Sequence, residues 1–236
     1  MKSIFTKANL PRICMIAVTA VLITVTGILF KQSPLRILPL YISLSVAALQ
    51  SRANRYASLI GGCNSVLYGI VYTFMGLYAS AGYAIFFSCP IQIATFIRWS
   101  RNKYGTSTRF RRMTGKQRIL VLVCFLASFA ALFLVLKAAG SSHQLVDNLA
   151  SLIGILTSVL TMFAFIEYTW TMILSGIMGI VLGIATMAEY PAQITYAIFS
   201  SYSLICIILQ FFRVQKLYRQ QQEEDAAEKA EDPAAV

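Results

Sequence analysis

The feature that most constrains this chain is a succession of apolar runs, with the Lys and Arg residues clustered between them. The first, "ICMIAVTAVLITVTGILF" (13–30), contains no charged residue. A bilayer core about 30 Å thick is crossed by about 20 helical residues. Eight stretches meet that length with their flanks: about 13–30, 36–50, 56–79, 82–99, 119–136, 145–166, 169–188 and 191–212. The 36–50 stretch is short and holds Pro39, but Arg36 at one end and Arg52 and Arg55 at the other can snorkel to the interfaces. Hydrophobic residues make up 58% of the chain and charged residues 12%, too few charges to cover a soluble surface. The chain therefore reads as an all-α polytopic membrane protein.

Charge orients it. There are 20 Lys and Arg against 9 Asp and Glu, yet the basic residues cluster between apolar runs, which argues for a membrane surface and against nucleic acid. With eight spans and a cytoplasmic N-terminus, 17 of the 20 basic residues fall inside, leaving only Lys31, Arg36 and Lys137 outside. Dropping 36–50 would move Arg52 and Arg55 outside and invert everything after them. The expectation is a multi-pass protein of the plasma membrane with both termini cytoplasmic. The N-terminus resembles a signal peptide, but its apolar run of 18 residues is long for one and no clear small-residue cleavage site follows, so a retained helix is expected. The loop 98–118 reads as a basic topology signal in contact with headgroups. The tail "QQQEEDAAEKAEDPAAV" reads as a frayed helix end passing into disorder.

The five cysteines stand alone in apolar runs, and His143 is the single histidine. No metal site, cofactor site or catalytic constellation is expected, and the chain does not read as an enzyme.

The chain repeats itself. "YAIFFS" (83–88) returns as "YAIFSS" (196–201), 113 residues later. At an offset of 114, Gly62 and Gly69 pair with Gly176 and Gly183, and at 113 Ser45-Val46 pairs with Ser158-Val159. Three matches in order, over three consecutive helices, imply an internal duplication. The expected organisation is an N-terminal segment with an extra helix (1–35), a first three-helix bundle (36–100), a basic loop and linker helix (101–144), a second bundle (145–216) and a polar tail (217–236). One linker span between three-helix units makes the repeats parallel, and substrate sites of such carriers lie where repeats meet.

Polar residues within spans need partners that lipid does not offer. Asn64, Tyr68 and Tyr72 share one helix face at i, i+4 and i+8, suited to an uncharged, hydrogen-bonding ligand or to a neighbouring helix. Gln92 sits mid-helix, two residues after Pro90, which frees a backbone carbonyl and can kink the helix. Gln193, Tyr196, Ser200 and Ser203 form a stripe facing protein. Trp170 stands at a helix start beside Glu167, which reads as a group in water. Asp147 and Asn148 read as helix caps.

The order "GGCNSVLYGI", "PIQIATFIRW" with a basic loop after it, then "MTGKQ" leading into an isolated helix, and "VDNLASLIGILTSVLTMFAFIEYTWTMILSGIMGIVLGI", resembles the PnuC-type vitamin transporters from about residue 40 to 216. The resemblance implies two parallel three-helix bundles joined by a linker helix, similar to full-length sugar transporters of the SWEET type, often as trimers. It implies facilitated diffusion of nicotinamide riboside or a related vitamin or nucleoside, trapped inside by phosphorylation. It places Asn64 and Gln92 at polar binding positions, Trp99 at the aromatic end of the third helix and Trp170 at a second-half tryptophan. The full expected substrate-binding set is Asn64, Tyr68, Tyr72, Gln92, Trp99, Trp170, Gln193, Tyr196 and Ser203. Thiamine, riboflavin or a sugar on the same fold is the alternative, with a non-transporting membrane partner protein as the reading from another class.

Overall fold

Among the described residues eight α-helices carry the chain: α1 (Leu10–Leu29), α2 (Pro34–Gln50), α3 (Tyr56–Phe74), α4 (Cys89–Arg101), α5 (Gly115–Ala138), α6 (Gln144–Met162), α7 (Tyr168–Met187) and α8 (Ile194–Glu231). The computed structural model describes residues 10–74, 81–138, 144–187 and 191–231. The expected continuation of the third span to 79 and the loop residue His143 lie outside the described residues, as do the side chains of Tyr72 and Gln193.

α5 shows most plainly why this chain needs lipid. Its stretch Gly115–Leu134 is apolar beyond Arg118 except for Ser128, and buries none of its residues. An apolar helix exposed on all sides has no stable place in water.

The packing is reciprocal. α3 lies against both α2 and α4, and α7 lies against both α6 and α8. Across these groups α2 meets α8 and α4 meets α6, so the first helix of each trio touches the third helix of the other. α5 packs on α6, and α1 packs on α2 and α8. Close approach within the first trio depends on glycine: a Cβ on Gly69 would collide with the Ile85 side chain, and one on Gly61 with the Gln92 carboxamide.

The turns repeat along with the helices. α2 and α6 each end with a buried alanine in the left-handed region, Ala53 at φ 51° and Ala164 at φ 57°. Ala53 N–H bonds to the Gln50 carbonyl (2.7 Å) and Asn54 N–H to Leu49 (3.2 Å). Ala164 N–H bonds to Thr161 (2.9 Å) and Phe165 N–H to Leu160 (3.1 Å). Both are Schellman closures of a helix C-terminus. Each turn is then hooked to the segment after α4, with Arg55 N–H donating to the Thr106 carbonyl (3.1 Å) and Ile166 N–H to that of Arg111 (2.9 Å). The two turns' own residues correspond throughout at a separation of 111.

The two YAIF copies differ in backbone. Tyr83–Ser88 forms a π-helix, with Cys89 N–H bonded five residues back to the Ala84 carbonyl. Pro90 has no N–H to give the four-residue bond expected at its position, and the chain slips into the wider register. The second copy lacks the proline and runs as regular α-helix within α8.

The basic segment after α4 is a built hub and not a loose loop. Lys103–Tyr104 (β1) and Ser107–Thr108 (β2) pair as an antiparallel hairpin turning at Gly105, φ 55°. Phe110 and Tyr168 stack and Trp99 meets both edge-on, in a core that also holds Met113, Leu160, Val214 and Leu217. Arg98 and Arg111 both lie against the Phe163 ring. Burial, and then the neighbouring Arg98 charge, lowers the Arg111 guanidinium from its ordinary value.

The tail expected to fray from Gln220 onward is helical to Glu231 within the described residues, because the hub holds the helix. The buried Gln221 accepts the Phe110 N–H at 2.8 Å and donates to the Thr108 carbonyl at 3.0 Å. Tyr104 hydroxyl donates to Glu224, which raises the phenol pKa, and Arg109 pairs with Asp225 at 3.1 Å. Nor is Glu167 a group simply in water: it pairs with Arg118 at 2.9 Å and accepts the Met113 N–H. Asn148 is fully buried and donates to the Phe129 carbonyl at 3.0 Å, tying α6 to α5 where a cap was expected.

Candidate functional site

The second trio is lined inside by small hydroxylated residues. Thr157, Ser158, Ser175, Ser200 and Ser203 come from α6, α7 and α8, with Gly154, Gly176 and Gly179 between them. The absence of side chains at these glycines opens a cavity of about 350 Å³. Gln50 from the end of α2 and Tyr83 from the π turn also line it, so the first half contributes a carboxamide and a phenol. Met172, Phe199 and Ile207 complete an apolar wall, and no lining residue carries a formal charge. Such a cavity can bind a small planar or ring-shaped molecule through hydroxyl and amide hydrogen bonds, with one face against apolar surface.

Within the first trio lie two polar clusters, one around Asn64 and one around Gln92. Asn64 Nδ2 donates to the Ser43 hydroxyl at 2.9 Å and to the Pro39 carbonyl at 3.2 Å. The second bond uses the carbonyl's spare lone pair inside α2. Ser43 and the Tyr68 hydroxyl lie 3.5 Å apart. Gln92 Nε2 donates to Ser65 (2.9 Å) and Ser88 (3.2 Å), which are bonded to each other at 2.9 Å. The Asn64 carboxamide oxygen is buried without a partner. A buried acceptor left without a partner in this way costs about 1–3 kcal/mol.

The expected site residues separate into five places. Ser203 lines the cavity. Asn64, Tyr68 and Gln92 belong to the polar clusters of the first trio. Trp99 is buried in the hub, its indole N–H donating to the Thr161 carbonyl at 2.8 Å. Trp170 stands 62% exposed, edge-on to Phe211, in a separate groove. Tyr196 lies at the end of the bundle away from the hub, where its hydroxyl accepts from Arg36 Nε at 3.3 Å and its ring faces the guanidinium. Gln50, Tyr83, Thr157, Ser158 and Ser175 were not among the expected site residues. Thr157 and Ser158 donate to the carbonyls four residues back, so their hydroxyls satisfy themselves and announce no need for a partner.

Comparison with known proteins gives this geometry a lineage. No curated protein sequence matches the chain. A solved structure described as the crystal structure of the vitamin B3 transporter PnuC superposes with a TM-score of 0.72, covering 89% of this chain and 92% of that one at 15% identity. At that identity the likeness is one of fold. The sequence itself matches the family model for nicotinamide mononucleotide transporters over residues 33–211, a stretch from α2 into α8 that holds both trios, the cavity and the two polar clusters. The chain therefore belongs to the nicotinamide mononucleotide transporter family of membrane proteins.

Proposed function

We propose that this protein carries a vitamin B3 nucleoside, nicotinamide riboside, across the plasma membrane by facilitated diffusion, with phosphorylation inside the cell making uptake one-way. The observation that carries the reading is the uncharged cavity of about 350 Å³ between α6, α7 and α8, closed from the first half by Gln50 and Tyr83. A phosphate group taken out of water without a cation beside it is strongly disfavoured. A cavity lined by hydroxyls, a carboxamide and apolar rings suits a nucleoside better than its nucleotide. The acidic residues on the described helices support a passive mechanism, because they sit at helix ends or on the α8 extension: Asp147 in the first turn of α6, Glu167 just before α7, and the rest beyond Gln221.

The two trios act as the repeats of a parallel duplication, with α5 as linker and α1 as an added helix. The reciprocal pairing of α2 with α8 and α4 with α6, and the twin Schellman turns, support that arrangement. The dense basic hub sits on the cytoplasmic side with both termini, as the positive-inside rule requires, and the assembly is a trimer. Ser203 contacts the ligand, and Asn64 and Gln92 form the polar face of the first half.

Thermal unfolding of the purified protein tests the reading. Nicotinamide riboside raises the midpoint, whereas its 5′-phosphate does not. Stabilisation by thiamine, riboflavin or a sugar alone would reassign the substrate within the same fold, and stabilisation by none of them would favour a non-transporting protein.

A further inference from the structure

The groove that holds Trp170 is separate from the transport cavity and differs from it in chemistry. It measures about 780 Å³ and joins three guanidinium groups, Arg112, Arg118 and Arg219, to an aromatic wall of Trp170, Phe211 and Phe212. One carboxylate, Glu167, lines it, and that carboxylate is already engaged by Arg118 and the Met113 N–H. Arg112 and Arg219 are exposed and have no carboxylate partner among the described residues. Trp170 and Phe212 are 62% and 65% exposed.

Two demands are thus left open within one groove. Surplus positive charge calls for an anion, and large exposed rings call for apolar cover. A soluble anion meets only the first, and a neutral lipid only the second. The groove lies where the apolar part of α7 begins, two residues after Tyr168, against α8 and the start of α5, which is the depth at which headgroups meet acyl chains. Basic pockets between spanning helices at that depth hold anionic headgroups.

We infer that this groove binds one anionic phospholipid, its phosphate between Arg112, Arg118 and Arg219 and an acyl chain along Trp170, Phe211 and Phe212. The lipid bridges the linker helix α5 to α7 and α8. It also accounts for an exposed tryptophan lying away from the transport cavity.

The test uses the full chain in neutral detergent, with phosphatidylglycerol and phosphatidylcholine of identical acyl chains, and inorganic phosphate, as probes. Phosphatidylglycerol raises the unfolding midpoint saturably, and the other two do not at equal concentration. R112Q/R219Q weakens the apparent phosphatidylglycerol affinity on the order of tenfold, and R112K/R219K restores most of it. Equal stabilisation by the two lipids, an equal effect of inorganic phosphate, or an unchanged affinity in the double Gln variant overturns the proposal. Efficient disulfide cross-linking of W170C between two copies in native membranes also overturns it, because protein then covers the groove.

Discussion

Trp99 and Thr161 are joined by a 2.8 Å hydrogen bond from the indole N–H to the main-chain carbonyl, which ties the last turn of α4 to the last turn of α6. The two helices belong to different halves of the protein, and the bond lies in the core of the hub. Trp99→Phe keeps most of the packing and loses the donor, so stability falls by about 1 kcal/mol. Trp99→Ala empties the core and costs about 3–5 kcal/mol. Denaturant or thermal unfolding measures both. The midpoint shift caused by the transported ligand is preserved in W99F, because Trp99 does not line the cavity.

Gln221 holds the α8 extension by two buried bonds to the hairpin main chain, whereas Arg109 and Asp225 meet with side chains 59% and 43% exposed. Burial decides which matters. Gln221→Leu strands the Phe110 N–H and the Thr108 carbonyl and costs about 1–3 kcal/mol. Asp225→Asn changes stability by less than about 1 kcal/mol. Hydrogen exchange checks the difference: Q221L speeds exchange of the Phe110 amide and loosens α8 beyond 221, and D225N leaves both close to wild type.

Ala53 and Ala164 occupy a backbone region that side chains rarely adopt. Replacement by glycine relieves left-handed strain of about 1 kcal/mol and loses one buried methyl, so A53G and A164G unfold within about 1 kcal/mol of wild type. Valine at either position, β-branched and left-handed, costs about 1–3 kcal/mol or more. Similar losses for A53V and A164V in unfolding measurements are the signature of two equivalent turns. A loss at one position only would mean that the turns do different work.

Pro90 sets the π register that presents Tyr83 to the cavity. Pro90→Ala returns an N–H to the helix, restores the regular register and rotates Tyr83 relative to α4. Uptake falls on the order of tenfold, the equivalent of about 1.4 kcal/mol, while the unfolding midpoint does not fall. A midpoint that falls together with uptake would assign Pro90 to stability instead.

The number of helices and the doubled YAIF were legible in the sequence because both are local patterns, hydropathy in one case and identity at a fixed offset in the other. Trp170 was legible as a helix-start residue, but its groove was not, since Arg112, Arg118 and Phe212 reach it from three different segments. The hub was illegible for a related reason: Gln221 is bonded to Phe110 and Thr108, more than 100 residues away, and an isolated "QQQEED" carries no sign of them. The cavity itself was hidden by its chemistry. Asn64 and Gln92 announced themselves because an amide in a membrane must be paired, but Thr157 and Ser158 bond their own helix and look like ordinary spacers. Gly176 was legible only as a repeat match to Gly62, although it and Gly179 both line the cavity.

The most direct test of the account is uptake of radiolabelled nicotinamide riboside by liposomes containing only this protein, with no ion gradient imposed. The account predicts saturable entry that stops at equilibrium, is competed by unlabelled nicotinamide riboside but not by its 5′-phosphate, and is strongly reduced by Gln50→Ala, which removes a cavity-lining carboxamide, at unchanged protein content. Entry no faster than into protein-free liposomes would contradict it.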